Sequence, residues 1–366
     1  MAEEKLGVLI HGAGWVSGPY VKAFSHNPHT RVVAVSSRKL ASAKARAAEG
    51  GPEVKAYDDF DKALANPDVD IVAICTPQHV HAENVVAAAR AGKHLVIEKP
   101  IANTLAEVKR ERDAVRKAKV RTVVSYVLRW NPLFETIKSL IADGALGNVY
   151  AVETDYQHHS GSYYRSYNDT RTSKLGVSAF HVGGIHALDA MRWFAGHKEF
   201  EAADPVEVFG YKGGWRKGKS IEYNHYDFHW QKSPAGPLEY DDFEMAVVKF
   251  SNGAIGKTAV HFGSVMPYMF PIQIFGNRGT IKDNRIWSPG KFPGAREWVT
   301  IPTVMPDSAD VKHHPFQGEM DHFVDCILEG RESHCNLDDA IKTMEIIFGV
   351  QQSYRTHKPV KLPLLG

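Results

Sequence analysis

The feature that most constrains this chain is the regular alternation of short apolar runs with longer amphipathic stretches over its first 120 residues. Strands are predicted over 6–10, 31–36, 54–56, 70–75 and 94–97, and helices over 16–25, 41–48, 60–64, 80–89 and 105–117. The run Val32-Val33-Ala34-Val35 is apolar on both faces, as a strand must be when helices cover both sides of a parallel sheet. Asn66-Pro67-Asp68 and Ala91-Gly92-Lys93 stop helices just before the next strands. Residues 120–126 predict one more strand, leading out of this first domain.

The pattern then changes. A helix is expected over 130–141, and a loop running into a helix over 176–194. Residues 206–286 alternate β-forming stretches with glycine-rich turns, and Asn252-Gly253 signals a hairpin between strands at 243–250 and 254–262. Helices near 318–328 and 337–353 close the chain. This predicts an α+β second domain on an open, mainly antiparallel sheet.

Between the first strand and helix lies Gly12-Ala13-Gly14-Trp15-Val16-Ser17-Gly18, a GxGxxxG pattern. Gly12 permits a tight turn, Gly14 lets a pyrophosphate approach backbone, and the helix start offers unsatisfied N–H groups; Gly18 suits close packing of helix on sheet. The expected fold class is therefore α/β: a Rossmann dinucleotide-binding domain over 1–125. The substrate-binding and oligomerisation domain follows over 126–366, its tail packing back on the first. Expected cofactor contacts are Gly12, Gly14, Trp15, Val16, Ser37, Arg38, Thr76, Pro77, His81, Glu98 and Lys99. After the second strand, Ser36-Ser37-Arg38-Lys39 lacks the acid that usually holds an adenosine ribose. Ser37 and Arg38 suit a 2′-phosphate instead, which favours NADP over NAD.

Charge and cysteine content exclude several classes. Forty-four basic against 42 acidic residues leave +2, with no basic stripe for nucleic acid. The cluster Lys109, Arg110, Arg112, Arg116, Lys117, Lys119 and Arg121 is broken by Glu111 and Asp113 and reads as a solvated helix face. Cys75, Cys326 and Cys335 make neither a disulfide framework nor a thiolate zinc motif. With no apolar leader at Met1-Ala2-Glu3-Glu4-Lys5 and no run approaching a membrane span, a cytoplasmic location without membrane partner is expected.

The glycine segment at 12–18, CTPQHVHAENVVAAARAGKHLVIEKP at 75–100, RWNPLFETIKSLIADGALGNVY at 129–150, GGIHALD at 183–189 and the tail at 322–363 together resemble the glucose–fructose oxidoreductase/inositol dehydrogenase (Gfo/Idh/MocA) family. The likeness spans nearly the whole chain. It implies NAD(P)-dependent oxidation of sugar or cyclitol hydroxyls, or the reverse reduction, by a homodimer or homotetramer. It assigns catalysis to Lys99 of the EKP motif and maps the family's HxxD element onto His186 and Asp189. An aspartate often precedes that histidine by four residues; here the position is Val182, which can neither carry charge nor hold a proton. His181 stands next to it, although five residues of α-helix would turn it about 140° from His186.

In this reading His186 is the general base, and Lys99 polarises the substrate oxygen and can exchange its proton. Asp189 positions a partner, binds another hydroxyl or pairs with Arg192. Tyr156, His158, Tyr163, Tyr164 and Arg165 offer flat apolar faces and directional polarity for a sugar or polyol, with Tyr126 and Arg129 as further candidates. His158-His159 lacks a third ligand, so no metal is expected. Two other readings stay open: a glycosidase that oxidises its substrate transiently and keeps its nicotinamide, and a non-catalytic cofactor sensor.

Overall fold

The computed structural model describes residues 5–164, 166–224, 227–303 and 314–366. The chain divides into two compact units, Met1–Val127 with Pro315–Ile341, and Leu128–His314 with Lys342–Gly366. Among the described residues no helix is long and apolar enough to cross a membrane. The three cysteines are buried thiols, joined in no disulfide.

The first unit runs β1 (Leu6–His11), α1 (Ser17–His26), β2 (Thr30–Ser36), α2 (Leu40–Ala47), β3 (Lys55–Tyr57), α3 (Phe60–Leu64), β4 (Ile71–Ile74), α4 (His81–Arg90), β5 (His94–Ile97), α5 (Leu105–Ala118) and β6 (Thr122–Val124). Its strands form one parallel sheet in the order β3-β2-β1-β4-β5-β6. All of β4 is buried, which is why its sequence shows no alternation. The strand order reverses between β1 and β4, so the loops after those strands flank the point where such sheets bind ligands. Helix starts are fixed locally: Asp59 accepts the Lys62 N–H at α3, and Thr104 and Glu107 make a capping box at α5.

The second unit begins with α6 (Pro132–Ala142), capped by the Asn131 side chain, then β7 (Val149–Gln157), α7 (Tyr167–Thr170), a π-helical turn at Phe180–Gly184 and α8 (Ile185–Ala195). It continues with β8 (Pro205–Gly213), β9 (Ile221–Asn224), β10 (His229–Lys232), β11 (Phe243–Phe250), β12 (Ile255–His261), β13 (Ile272–Gly276), β14 (Thr280–Lys282), β15 (Arg285–Trp287) and β16 (Val299–Thr300). After α9 (Phe316–Leu328) and α10 (Leu337–Thr356) comes β17 (Val360–Lys361). The main sheet has the order β16-β15-β14-β13-β7-β12-β11-β8-β17; only the β7–β12 pairing in it is parallel. Asn252-Gly253 makes the β11–β12 turn, with Gly253 at φ 89°. Helix α8 covers one face of this sheet, and the Thr154 hydroxyl donates to the Ala187 carbonyl at 2.8 Å. The other face leaves Tyr211, Val247 and Ile255 exposed.

In this division residues 315–341 belong to the first unit, and the rest of the segment expected as the second domain, from Leu128, belongs to the second. The cause is long-range: α9 packs on α1, the Val124 N–H donates to the Cys335 carbonyl at 2.8 Å, and the Leu337 N–H donates to Thr122 Oγ1 at 2.9 Å. No local pattern announces those bonds.

Candidate active site

The glycine turn of the first unit is built for close approach. Gly12 sits at φ 113°, and a Cβ there would lie 2.5 Å from the Cys75 carbonyl oxygen. Only glycine lets the loop after β1 lie against the loop after β4. A Cβ at Gly14 would meet nothing within 4 Å, so this backbone borders open space. Val16, the N-cap of α1, makes no side-chain capping bond; the Gly18 N–H donates to the Trp15 carbonyl at 3.2 Å and Pro19 has no N–H, so an anion here would meet the N–H groups that precede Gly18. Ser17 Oγ and Arg46 Nη2 both donate to the Gly14 carbonyl, at 2.7 and 2.9 Å, fixing the turn from two sides. An open cradle at Gly14, the N-terminal end of α1 and a nearby guanidinium fit a dinucleotide pyrophosphate. Gly18 has a different role from the one expected. A Cβ there would strike Arg46 Nη1 at 2.5 Å, so it makes room for α2's arginine, not for the sheet. Trp15 is exposed and Val16 half-buried beside this turn; Arg38 is exposed just beyond β2, with Ser37 held by its N–H to the Tyr57 carbonyl.

The loops after β4 and β5 carry the other first-unit candidates. His81 is buried and its ring bridges the Thr76 carbonyl at 2.6 Å and the Pro100 carbonyl at 2.8 Å. It clamps these loops together, while burial holds its pKa below the ordinary value against the pull of both carbonyls. Thr76 Oγ1 accepts from Asn84, and Pro77 opens the turn that leads into α4. Lys99 follows β5 and is half-buried. Desolvation pushes its ammonium below the usual lysine value, and neighbouring Glu98 opposes that shift. The Glu98 carboxyl is itself raised by burial.

In the second unit, Gly183 and Gly184 let the π turn lie on the sheet: a Cβ at Gly183 would meet Phe262 and Tyr156 at 2.9 Å, and one at Gly184 would meet Val260 at 2.8 Å. Glu244 anchors the turn by accepting the Phe180 N–H at 2.6 Å; burial raises its carboxyl to about 7. The α-helical angle expected between His181 and His186 does not apply to a π turn, and ring contacts decide instead. His181 lies 6.0 Å from Phe348, while His186 meets Phe270 and His314 edge-to-face at 6.3 Å. The two rings serve different surroundings. Val182, at the family's aspartate position, is half-buried, and its N–H donates to the Ser178 carbonyl.

From His186 an aromatic wall continues through Phe270 to Tyr156 and Tyr268. His158 stacks at 4.2 Å on Tyr268 and is hydrogen-bonded to the Tyr156 hydroxyl at 3.2 Å and the Tyr164 hydroxyl at 2.8 Å. Tyr163 packs on Tyr164 at 4.7 Å. His159 turns elsewhere: it is bonded to the Ser264 carbonyl and the Tyr223 N–H, and its ring faces Trp215 and Trp230. Arg165 lies outside the described residues. Among the described residues no group of three or more His, Cys, Asp or Glu side chains is placed to hold a metal.

Two candidates turn out to bind each other. Arg129 grips Asp189 through Nε at 2.7 Å and Nη2 at 2.6 Å, at 1% and 2% exposure, and Thr343 donates to Asp189 at 3.0 Å. Arg192 adds a longer contact at 3.8 Å, so the expected α8 pairing exists but is secondary. Tyr126 is buried, its hydroxyl 3.5 Å from the Ala340 carbonyl. Arg216 is fully buried, donating to the Ser160 and Phe262 carbonyls.

Sequence reasoning missed Arg46, Tyr268 and Phe270. It also missed His11, which stacks on Phe60 at 3.7 Å, bonds Ser36 Oγ at 2.8 Å and is pushed by burial down to about 4. Its position beside Gly12 was the one available signal.

Family models agree with this layout. The one described as "Oxidoreductase family, NAD-binding Rossmann fold" matches residues 6–126, and "Oxidoreductase family, C-terminal alpha/beta domain" matches 138–362. Levoglucosan dehydrogenase of Pseudarthrobacter phenanthrenivorans is 30% identical over 298 residues, 77% of this chain and 74% of its own length. The scyllo-inositol 2-dehydrogenase (NAD(+)) of Bacillus subtilis is 23% identical over 352 residues, 92% of this chain and 90% of its own. The crystal structure of aldose-aldose oxidoreductase from Caulobacter crescentus complexed with glycerol has a TM-score of 0.77 at 26% identity, covering 98% of this chain and 100% of that one. With both halves matched, the chain belongs to the Gfo/Idh/MocA oxidoreductase family, with an NAD-binding Rossmann domain and the family's C-terminal α/β domain.

Proposed function

We propose that this protein moves hydride between a nicotinamide dinucleotide and a secondary hydroxyl or carbonyl of a sugar, sugar derivative or cyclitol. The observation that carries the reading is Lys99, held after β5 with its ammonium destabilised by desolvation, in the family's EKP motif. Relatives named for levoglucosan, scyllo-inositol and aldoses support the substrate class. The bound dinucleotide supplies the hydride acceptor or donor. The remaining tasks fall to side chains: Lys99 donates to the reacting oxygen and exchanges its proton, and His186 acts as general base. The wall of Tyr156, Tyr164, Tyr268 and Phe270 offers flat faces for a polyhydroxylated ring. With Val182 replacing an acid and Asp189 committed to Arg129, the acid–base set reduces to Lys99 and His186.

Incubating the protein with levoglucosan, myo- or scyllo-inositol and aldoses, with NAD+ or NADP+, is expected to produce reduced nicotinamide in the ultraviolet absorbance. The exposed Arg38 suits a 2′-phosphate, so NADP+ is expected to give the lower KM. Bond cleavage without net cofactor reduction would replace this reading with the glycosidase, and binding without turnover would replace it with the sensor.

The open face of the second unit's main sheet, with Tyr211, Val247 and Ile255 exposed, supports a homodimer or homotetramer covering it. Light scattering should give a multiple of the chain mass, and Val247→Lys should lower it. A monodisperse monomer at micromolar concentration would rule that assembly out.

A further inference from the structure

Four buried polar groups inside the first unit form one continuous chain. The Tyr20 hydroxyl on α1 lies 2.8 Å from Glu98 Oε1 and 2.6 Å from Ser125 Oγ, and Ser125 Oγ lies 2.9 Å from Glu319 Oε2 on α9. Tyr20, Ser125 and Glu319 are sealed from water; the chain approaches the surface only at Glu98, whose Oε2 accepts the Lys99 N–H at 3.1 Å.

Three hydrogen bonds need three hydrogens, and the two hydroxyls supply only two. With both carboxyls ionised, one contact below 3 Å would set lone pair against lone pair, with two anions buried on one chain. One carboxyl therefore carries a proton. Two arrangements satisfy every link. In one, Glu319 donates to Ser125, Ser125 to Tyr20, and Tyr20 to the Glu98 carboxylate. In the other all three bonds reverse, and the proton rests on Glu98.

The charge on Lys99 selects between them. Glu319 Oε1 is buried with no hydrogen-bond partner among the described residues, a position tolerable for the carbonyl oxygen of a neutral acid and costly for a carboxylate. The Glu98 carboxylate has two donors and the Lys99 cation beside it. The proton thus belongs on Glu319 while Lys99 is an ammonium; loss of that charge removes one stabilisation of the Glu98 carboxylate and lowers the cost of moving the proton to Glu98. Among the described residues, further titratable neighbours are Cys75 after β4, itself influenced by Arg46, and His81 on α4, whose ring feels the Lys99 charge. Burial drives the Cys75 thiol and Tyr20 phenol well above their ordinary values, and both carboxyls upward, Glu319 the further.

We propose that Glu98, Tyr20, Ser125 and Glu319 form a sealed proton-transfer chain that sets the charge beside Lys99 to match that lysine's own protonation state. Each reversal breaks one O–H bond and forms another at every link, so three hydrogens shift and none enters or leaves. The coupling to catalysis rests on the reading of Lys99 given above; the chain itself does not. Tyr20, Ser125 and Glu319 are positioning residues, acting on substrate only through Lys99.

Infrared difference spectra of the full-length protein without cofactor, at neutral pH, test both parts. Parent minus E319Q should show the loss of one protonated-carboxyl carbonyl band that shifts in D2O. Glu111, Glu135 and Glu244, the other raised carboxyls among the described residues, cancel in that difference. Parent minus K99M should show the same band displaced as the proton moves to Glu98. In turnover, E319Q leaves Glu98 anionic, so the basic limb of the alcohol-oxidation pH profile should move up by about 1–3 pH units with KM little changed. No band lost in E319Q would overturn the shared proton, and an unmoved band in K99M would overturn its coupling to Lys99. Absence of any turnover would sink the proposed function and leave both infrared results standing.

Discussion

Replacing Lys99 with methionine is expected to slow hydride transfer about 10²–10⁴-fold, with dinucleotide affinity close to the parent's. Methionine keeps an unbranched apolar stem in the loop after β5 and removes the amine that donates to the reacting oxygen and exchanges a proton with it. The glycine turn and α1, where the pyrophosphate fits, contain nothing of Lys99. The pH dependence has a definite sign. Desolvation depresses the Lys99 ammonium below a free lysine's value, so neutral amine is present at lower pH than usual. Alcohol oxidation by the parent should therefore rise with pH through that depressed value, and K99M should lose this limb. Single-turnover rates with a folded variant, checked by circular dichroism, read the result. Parent-like turnover would remove Lys99 from the chemistry.

The second large effect is on stability. Asp189→Ala is expected to destabilise the protein by about 3–5 kcal/mol, because it strands the buried Arg129 and Arg192 guanidinium groups without their shared carboxylate. The melting temperature should fall roughly 6–20 °C. Asp189→Asn keeps the shape and part of the hydrogen bonding, and should cost less. The comparison separates two roles for this residue. A melting temperature near the parent's together with lost activity would show that Asp189 works on substrate and that its bond to Arg129 is incidental.

That pair also marks the limit of what the sequence could say. The HxxD spacing drew attention to Asp189, but its partner Arg129 lies 60 positions away on another segment. Periodicity tells which face of α8 is apolar; it cannot tell which buried cation a carboxylate on that helix will meet. The same holds for Arg216, which holds the Ser160 and Phe262 carbonyls in the interior. Gly183-Gly184 was visible as a motif, yet the π turn it permits depends on Phe262, Tyr156 and Val260 arriving from the sheet.

The sequence alone determined the parallel sheet of the first unit, the glycine turn at its reversal point and the lysine after β5. Each follows from local rules: both-face apolar runs, a backbone angle open to glycine, and the position of a loop relative to its strand. Tertiary structure alone decided that residues 315–341 complete the first unit, that Arg46 secures the glycine turn, and that Glu319 stands 194 positions from the Ser125 it bonds. Those contacts are settled by which surfaces fit together when the core closes, and burial then dictates which charges survive there.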